Sequence, residues 1–201
     1  MVVGNDIVDL ALMRERPEHP AFAERVCSEA ELGVLYASRD RARALWSLFA
    51  AKEAAYKALS KLHSVRFVPR AFCVDAAFTT VQQAGDQLTL RLFHGASFVH
   101  ASVFDGASPL WDFARRDSAC ASDAVRVLAR CLAGRYLHEE PGAFSVVRDR
   151  ALGAWDGYGP PRLLLRGRPV GLDVSLSHHG RYVACAVERR SGSERDLLVS
   201  S

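Results

Sequence analysis

The sequence predicts an α+β protein made of two halves, each with packed helices and a small antiparallel sheet. Apolar residues recur at helical spacing from Arg39 to Leu62. From Val65 to Phe104 the pattern changes to the alternation that is typical of strands. A second helical pattern, from Ser122 to Leu137, precedes a final hairpin of LDVSLSH and YVACAVE, so helix and then sheet occur twice.

The elements of the first half follow in order along residues 1–108. Residues 2–10 predict a short apolar strand interrupted by acids, and residues 20–36 carry aromatic and aliphatic side chains at helical spacing. The helix over 39–62 comes next. Three strand-like segments then follow, separated by AGD and HGA turns: RFVPRAFCVDAAF, QLTLRLF and SFVHASVF. We therefore expect an antiparallel meander after the helix.

The second half is predicted to span residues 109–190. The boundary lies in DGASPLWD, residues 105–112, which is rich in turn formers. Ser122 or Asp123 is the predicted cap of the helix that follows. The Gly- and Pro-rich stretch DGYGPPRLLLRGRP leads to the final hairpin, which turns at residues 179–181. Residues 191–201 are predicted to be a flexible tail.

Composition excludes several classes of protein. With 49% hydrophobic and 24% charged residues, the chain is typical of a globular domain and unlike a disordered one. No apolar run reaches the roughly 18 residues of a membrane span, and the first ten residues lack the positive region of a secretory signal. Five scattered cysteines without a CxxC pair argue against a disulfide framework or a cysteine zinc site, so we expect a cytoplasmic protein.

The basic residues are distributed unevenly. Only three of the 26 are lysines, and these are Lys52, Lys57 and Lys61. An ammonium and a guanidinium bind phosphate differently, so this window is of interest, although chance and codon usage are an alternative. The net charge of +3 is too small to indicate nucleic-acid binding, and the scattered arginines lack an aromatic stacking platform.

Asp6 is the first candidate for chemistry. Because alternate residues of a strand share a face, Asp6 lies on the apolar face of Val2 and Val8, whereas Asp9 points the other way. A carboxylate on such a face needs a paired charge or a bound cation. Capping of a neighbouring helix and pairing with an arginine are the alternatives, which the segment alone leaves open.

Glu53 and Lys57 are the second candidate, four residues apart on the helix WSLFAAKEAAYKAL. A surface ion pair worth roughly 0.2–0.5 kcal/mol would explain this spacing. The many alanines nevertheless make a slim helix that a ligand can approach closely. An acid beside lysines also suits a metal-bridged phosphate, with a carboxylate for Mg²⁺ and ammonium groups for phosphate oxygens.

Ser177 and His178 are the third candidate, because they lie where the strand DVSLSH meets its turn. Ser175 and Ser177 share one face of that strand, and His178 lies on the other. A hydroxyl and an imidazole can donate to an anion there; a solvated turn histidine is the alternative. The GxSxG, GxxxxGK[ST] and GxGxxG patterns are absent, so a hydrolase elbow and those nucleotide folds are not supported.

Four segments together resemble the 4′-phosphopantetheinyl transferase superfamily. They are similar to its G-[IV]-D-[IV] strand, its F-x-x-R-[VF]-x-[ST]-x-x-E segment, its [FW]-x-x-K-E-[AS]-x-x-K-A helix and its S-x-S-H hairpin. In this chain these are GNDIVDL (4–10), FAERVCSEAEL (22–32), FAAKEAAYKAL (49–59) and VSLSHHGRYVACAV (174–187), with GRP (167–169) similar to the family's G-[KR]-P. The resemblance spans most of the chain apart from 65–110, and its order is that of the small holo-acyl-carrier-protein synthases.

The resemblance implies an Mg²⁺-dependent transferase, with Mn²⁺ as an open alternative. Such an enzyme moves the 4′-phosphopantetheine arm of coenzyme A to a serine of an acyl or peptidyl carrier protein and releases 3′,5′-ADP. Carried over by position, Asp6 and Glu53 become the metal ligands. Glu53 also becomes the acceptor of the serine proton, directly or through water, and Lys57 neutralises charge on the transferring phosphate. Fatty acid and polyketide biosynthesis both stay open.

The resemblance also assigns the nucleotide end of coenzyme A to Ser177 and His178, with Arg168 as a further candidate. The acidic helix of the carrier protein is expected to dock on Arg14, Arg16 or Arg25, because Leu12 replaces an arginine that is typical of the small synthases. A coenzyme A or carrier-protein binding module without catalysis is the alternative function.

Two departures from the family pattern predict the architecture. Val8 occupies the position at which the larger type has a third acid, so a two-carboxylate site completed by water is expected. At 201 residues the chain is close to the two-lobed type, but its acidic half comes first and its S-x-S-H half second. We therefore predict a pseudo-dimer with the halves in reversed order, active as a monomer, with a trimer as the alternative.

Overall fold

Helices and antiparallel sheets alternate along the chain, which confirms the predicted α+β class. The computed structural model describes residues 1–13, 20–116, 120–151 and 157–190. The predicted flexible tail lies outside these residues. Among the residues that the structure describes, no helix is long and apolar enough to cross a membrane.

The first half is a five-stranded sheet with helices packed on one face. Its elements are β1 (Val3–Asp9), α1 (Pro20–Val26), α2 (Glu29–Ala37), α3 (Arg41–Leu59), β2 (Cys73–Val74), β3 (Thr80–Gln83), β4 (Asp86–His94) and β5 (Phe98–Phe104). The strands lie in the order β1-β5-β4-β3-β2. The N-terminal strand therefore forms one edge of the sheet and pairs with the last strand.

The described residues of the second half form one long helix and two three-stranded sheets. Its elements are β6 (Leu110–Arg115), α4 (Ala121–Leu137), β7 (Phe144–Val147), β8 (Arg162–Leu165), β9 (Arg168–Pro169), β10 (Leu172–His179) and β11 (Tyr182–Arg189). The sheets have the orders β10-β11-β6 and β7-β8-β9. The final hairpin is thus formed as predicted.

The two halves repeat one connectivity. In the first half the last strand, β5, lies between the first strand, β1, and β4, which precedes it in a hairpin. In the second half the last strand, β11, lies in the same way between β6 and β10. All four pairs are antiparallel. The long helices α3 and α4 occupy equivalent places between the first strand and the meander. The domain boundary predicted after residue 108 falls between β5 and β6.

Helix α3 packs closely on β1 because small residues face each other. A Cβ atom at Gly4 would collide with the carbonyl oxygen of Ala54. Ala51, Ala55 and Ala58 of the helix are also buried. The two backbones therefore approach each other closely, and polar side chains of the helix reach the strand.

Aromatic side chains fill part of the contact between the halves. Phe98 of β5 packs on Phe113 of β6 and on Tyr182 of β11, with ring centroids 4.6 and 4.7 Å apart. Ile7 of β1 belongs to the same buried cluster. Because buried aromatic rings contribute large apolar areas, this cluster fixes β1 between the two halves.

Two helix predictions need correction. The single helix expected over 20–36 is two helices, because Ser28 starts α2 with a capping box: its hydroxyl accepts from the Glu31 N–H, and the Glu31 carboxylate accepts from the Ser28 N–H. The predicted caps of α4, Ser122 and Asp123, are wrong. That helix begins one residue earlier, after Cys120, which makes no side-chain capping bond.

Several strands were also missed or misplaced. Of the strand-like segment 66–78, only Cys73–Val74 forms a strand. Strand β6 lies in a region read as a break, because its turn-rich start hides the pairing with β11. Strands β3, β7, β8 and β9 were likewise not predicted; each is at most four residues long, which is too short for a clear alternation.

Candidate active site

Strand β1 presents different chemistry on its two faces, as the alternation predicts. Asp6 faces α3 beside Val2 and Val8, which belong to the core of the first half. Asn5 and Asp9 face the second half, where their N–H groups bond to side chains of β10. The strand is therefore shared between the halves.

The carboxylates of Asp6 and Glu53 both contact the ammonium group of Lys57. The Lys57 Nζ lies 2.8 Å from Asp6 Oδ1 and 3.2 Å from Glu53 Oε1, and it also donates to the carbonyl oxygen of Asn5 at 3.2 Å. The Asp6 side chain is 8% exposed and that of Glu53 is 31% exposed. The predicted carboxylates thus share one cation, with Glu53 the more open of the two.

The pKa values in this cluster depart from their ordinary range. Burial, and then the nearby charge of Glu53, raise the pKa of Asp6 to about 7, although Lys57 opposes both. For Lys57, burial disfavours the charged form, but the carboxylates of Asp6 and Glu53 outweigh it and raise its pKa. The two acids repel each other and are stabilised by positive charge between them.

This donor set fits a hard divalent cation. Carboxylate oxygens are the protein ligands that Mg²⁺ and Mn²⁺ take, and Mg²⁺ usually keeps several waters beside one or two carboxylates. Asp6 and Glu53 supply two such groups. Val8, at the position of a possible third acid, is buried in the core, and no group of three or more His, Cys, Asp or Glu residues arranged for a metal occurs in the described part of the chain.

The turn of the second half lies beside this cluster. His178 is exposed at the end of β10, and its pKa is lowered by partial burial and then by the positive charges of Lys57 and Arg116. The adjacent His179 accepts from the Asp9 N–H at 3.0 Å, so the turn lies at the end of β1, three residues along the strand from Asp6. Ser177 is buried, and its Oγ has no hydrogen-bond partner among the described residues.

Arg168 and Arg25 lie away from the carboxylate cluster. Arg168 is exposed in β9, a strand paired with β8, and no hydrogen bond or ion pair of the described residues links it to the carboxylate cluster. Arg25 is exposed on α1 and lines an open groove with Arg70. Arg14 and Arg16 lie outside the described residues, so their role stays a prediction.

The three lysines make contacts in three different places: Lys52 and Lys57 lie on α3, and Lys61 follows two residues after its end. Lys52 is fully buried and lies 2.6 Å from Glu31 within the first half. Lys61 lies 2.7 Å from Asp173 of the second half. The lysine clustering seen in the sequence was therefore informative, although the partners of Lys52 and Lys61 were not predicted.

His100 is a buried residue that sequence reasoning missed. It lies 1% exposed on β5, and its Nε2 is 3.4 Å from the Asn5 amide nitrogen. Burial, and then the charge of Lys57, lower its pKa to about 3. No pattern in the sequence separates it from an ordinary strand residue.

The second half carries a partial copy of the carboxylate cluster. Asp6 of β1 pairs with Ala101, the fourth residue of β5. Asp112 of β6 pairs with Cys185, which is likewise the fourth residue of β11. Both acids also contact a cation of the neighbouring helix: Lys57 Nζ lies 2.8 Å from Asp6, and Arg135 Nη1 lies 3.0 Å from Asp112.

The copy is incomplete because it has one acid fewer. Glu53 lies four residues before Lys57, whereas Cys131 lies four residues before Arg135. A thiol in place of the second carboxylate removes a ligand suited to Mg²⁺. Among the described residues, only the first half therefore supplies the two-carboxylate arrangement.

Comparison with known proteins identifies relatives. A model of the 4′-phosphopantetheinyl transferase superfamily matches residues 2–121. A holo-[acyl-carrier-protein] synthase of Azoarcus sp. (strain BH72) is 38% identical over 107 residues, which are 51% of this chain and 86% of that protein. The crystal structure of Thermotoga maritima holo-[acyl-carrier-protein] synthase aligns with a TM-score of 0.38 and 17% identity over 84% of each chain, a similarity too low to support an argument.

Proposed function

We propose a function from one premise: this chain belongs to the 4′-phosphopantetheinyl transferase superfamily. The chain is a transferase that attaches a phosphopantetheinyl group to a carrier protein. In finer terms, it transfers the 4′-phosphopantetheine arm of coenzyme A to a serine of an acyl or peptidyl carrier protein and releases 3′,5′-ADP. The observation that carries this proposal is the convergence of Asp6 and Glu53 on Lys57.

The reaction breaks one phosphorus–oxygen bond and forms another. The serine hydroxyl of the carrier attacks the phosphorus nearest to pantetheine, and the bridging oxygen of the pyrophosphate leaves with 3′,5′-ADP. Asp6 and Glu53 would hold Mg²⁺ or Mn²⁺, which when bound neutralises the pyrophosphate charge. The serine proton goes to the Glu53 carboxylate, directly or through one water.

Lys57 changes partners during this reaction. Its ammonium group contacts Asn5, Asp6 and Glu53. When the phosphate enters, the ammonium can donate to it only by releasing one of these contacts. Release of Glu53 suits the chemistry because it frees the more exposed carboxylate to accept the proton while Lys57 stabilises the phosphate.

The second half supplies the binding end of the site. His178 lies on the turn that contacts the end of β1 through His179 and Asp9, and the preceding Ser177 has a buried hydroxyl with no hydrogen-bond partner among the described residues. We assign both to the nucleotide end of coenzyme A, with Arg168 as a further candidate. One chain then contains one complete site, so an active monomer is part of the proposal, as is a cytoplasmic location.

The non-catalytic binding module finds less support. A module that needs only affinity for coenzyme A has no use for a buried acid whose ionisation a second carboxylate disfavours. Burial and the nearby Glu53 raise the pKa of Asp6 in this way, beside Lys57. Such an arrangement is costly unless charge is to be stabilised there.

The test is incubation of the chain with apo-carrier proteins, coenzyme A and Mg²⁺, followed by mass spectrometry of the carriers. We expect a mass gain of one phosphopantetheine arm on a serine, and loss of that gain when Mg²⁺ is chelated. Calorimetric binding of coenzyme A without any mass gain, across acyl and peptidyl carriers, would favour the binding module instead.

A further inference from the structure

The turn that carries His178 is fastened to the end of β1 by one buried carboxylate. Asp9 is 0% exposed and accepts four hydrogen bonds. Three come from Arg181: its backbone N–H at 3.1 Å, its Nε at 2.8 Å and its Nη2 at 2.7 Å. The fourth comes from the N–H of Ala11 at 3.1 Å.

The same turn touches β1 at two more points. The Asp9 N–H donates to His179 Nδ1 at 3.0 Å, which leaves the proton of that imidazole on Nε2. Gly180 has a φ of 53°, and a Cβ atom there would lie 2.5 Å from Leu12 Cδ1 and 2.7 Å from the Asp9 carboxylate. Only glycine allows the turn to approach so closely.

These contacts complete a regular alignment of β10 along β1. The Val3 N–H donates to Asp173, the Asn5 N–H to Ser175 and the Asp9 N–H to His179, each pair 170 residues apart. Side chains of β10 thus accept hydrogen bonds from three backbone N–H groups of β1. A constant separation means that the two strands keep one register, which sets where the end of β10 lies relative to Asp6.

We propose that Asp9 and Arg181 are positioning residues of the coenzyme A site, which hold the β10–β11 turn, and with it His178, at the end of β1. This inference rests on the proposed function. Neither side chain needs to touch the substrate. Arg181 is 39% exposed, so its loss removes no core side chain, but it leaves the enclosed Asp9 carboxylate without its cation and frees the turn.

The expected signature is a loss of binding at one end of the site. In Arg181→Ala the turn loses its bidentate contact, and we expect the KM for coenzyme A to rise by roughly ten- to a hundredfold, the range that a misplaced group and a lost charged hydrogen bond produce. The kcat and the KM for the carrier should stay within about twofold, because interactions equal in the ground and transition states change KM alone.

Three further variants separate positioning from general stability. Arg181→Lys keeps the charge but not the fork, so its KM should lie between those of the wild type and Arg181→Ala. Gly180→Ala pushes the same turn away from Asp9 and should raise the KM likewise. Arg135→Ala removes an arginine–carboxylate contact on the surface of the same half, 3.0 Å from Asp112, that does not hold this turn, and should leave the KM unchanged.

The experiment measures steady-state kinetics and calorimetric coenzyme A affinity for these variants, with thermal unfolding as a check on folding. Unchanged KM and affinity in both Arg181→Ala and Gly180→Ala, or a fall in kcat at constant KM, would overturn the inference. If Arg181→Ala does not fold, Arg181→Lys and Gly180→Ala decide it. A wild type that transfers nothing would contradict the proposed function, and the affinity series would still judge the positioning role.

Discussion

Replacing Lys61 by methionine tests how the two halves are joined. The Lys61 ammonium donates to the Val3 carbonyl at 2.6 Å, to Asp173 at 2.7 Å and to the Val174 carbonyl at 2.9 Å. The side chains of Lys61 and Asp173 are only 6% and 2% exposed. The change therefore leaves a buried carboxylate without its nearest cation.

The magnitude follows from that burial. Removing one partner of a buried ion pair costs about 3–5 kcal/mol. Arg190 remains 3.3 Å from Asp173, and the Val3 N–H still donates to it, so we expect the lower end, about 3 kcal/mol. For a chain of this length, that corresponds to a Tm lower by roughly 6–12 °C.

Urea unfolding and calorimetry at neutral pH measure this loss. Arg135→Met is the matched control, because its pair with Asp112 is exposed (61% and 41%) and such surface pairs contribute about 0–1 kcal/mol. The double change Lys61→Met with Asp173→Asn should cost less than the sum of the two single changes. A Lys61→Met loss as small as that of the control would refute the reasoning.

Three other predictions concern the site and its neighbours. His178→Ala should raise the KM for coenzyme A, because the His178 contact is present in the ground state. Lys57→Ala should instead lower kcat, because the Lys57 contact strengthens as the phosphate reorganises. Initial rates against both substrates check this, and the reverse pattern would exchange the two roles. Burial favours the protonated form of Asp9, but the hydrogen bonds from Arg181 outweigh burial and lower the pKa of this carboxyl. The Asp9 carboxylate therefore stabilises the fold above pH ~4, and this contribution disappears as the pH falls further. Urea titrations at several pH values should show the loss of stability in the wild type and not in Asp9→Asn. The carrier should bind through Arg25 and its basic neighbours, so raising the salt concentration should increase the KM for the carrier more than the KM for coenzyme A. A carrier KM that does not change with salt would contradict the docking prediction.

Sequence patterns predicted the parts of this fold that are local. The helix around Lys57, the alternation that turns Asp6 toward it and the final hairpin with Ser177 and His178 all follow from spacing within a few residues. The site residues could be nominated because each lies on one of these elements. Their convergence, with distances of 2.8 and 3.2 Å, is a tertiary result.

What escaped the sequence depends on contacts between distant residues. Strand β6 forms by pairing with β11, and the Lys61 partner Asp173 lies 112 residues away. The sequence placed Asp9 only on the other face of the strand, because its partner Arg181 is 172 residues distant. Periodicity predicts which face of a strand or helix a residue occupies. It does not predict which charged side chain from a distant part of the sequence lies against that residue.

The central claim is that Asp6 and Glu53 form the centre at which the arm is transferred to the carrier. The most direct test is the mass of an apo-carrier after a single-turnover incubation with coenzyme A and Mg²⁺, comparing the wild type with Asp6→Ala and Glu53→Ala. Both variants should remain folded by circular dichroism and transfer nothing at ordinary metal concentration, because one carboxylate holds Mg²⁺ too weakly. Near-wild-type transfer by either folded variant would contradict the account.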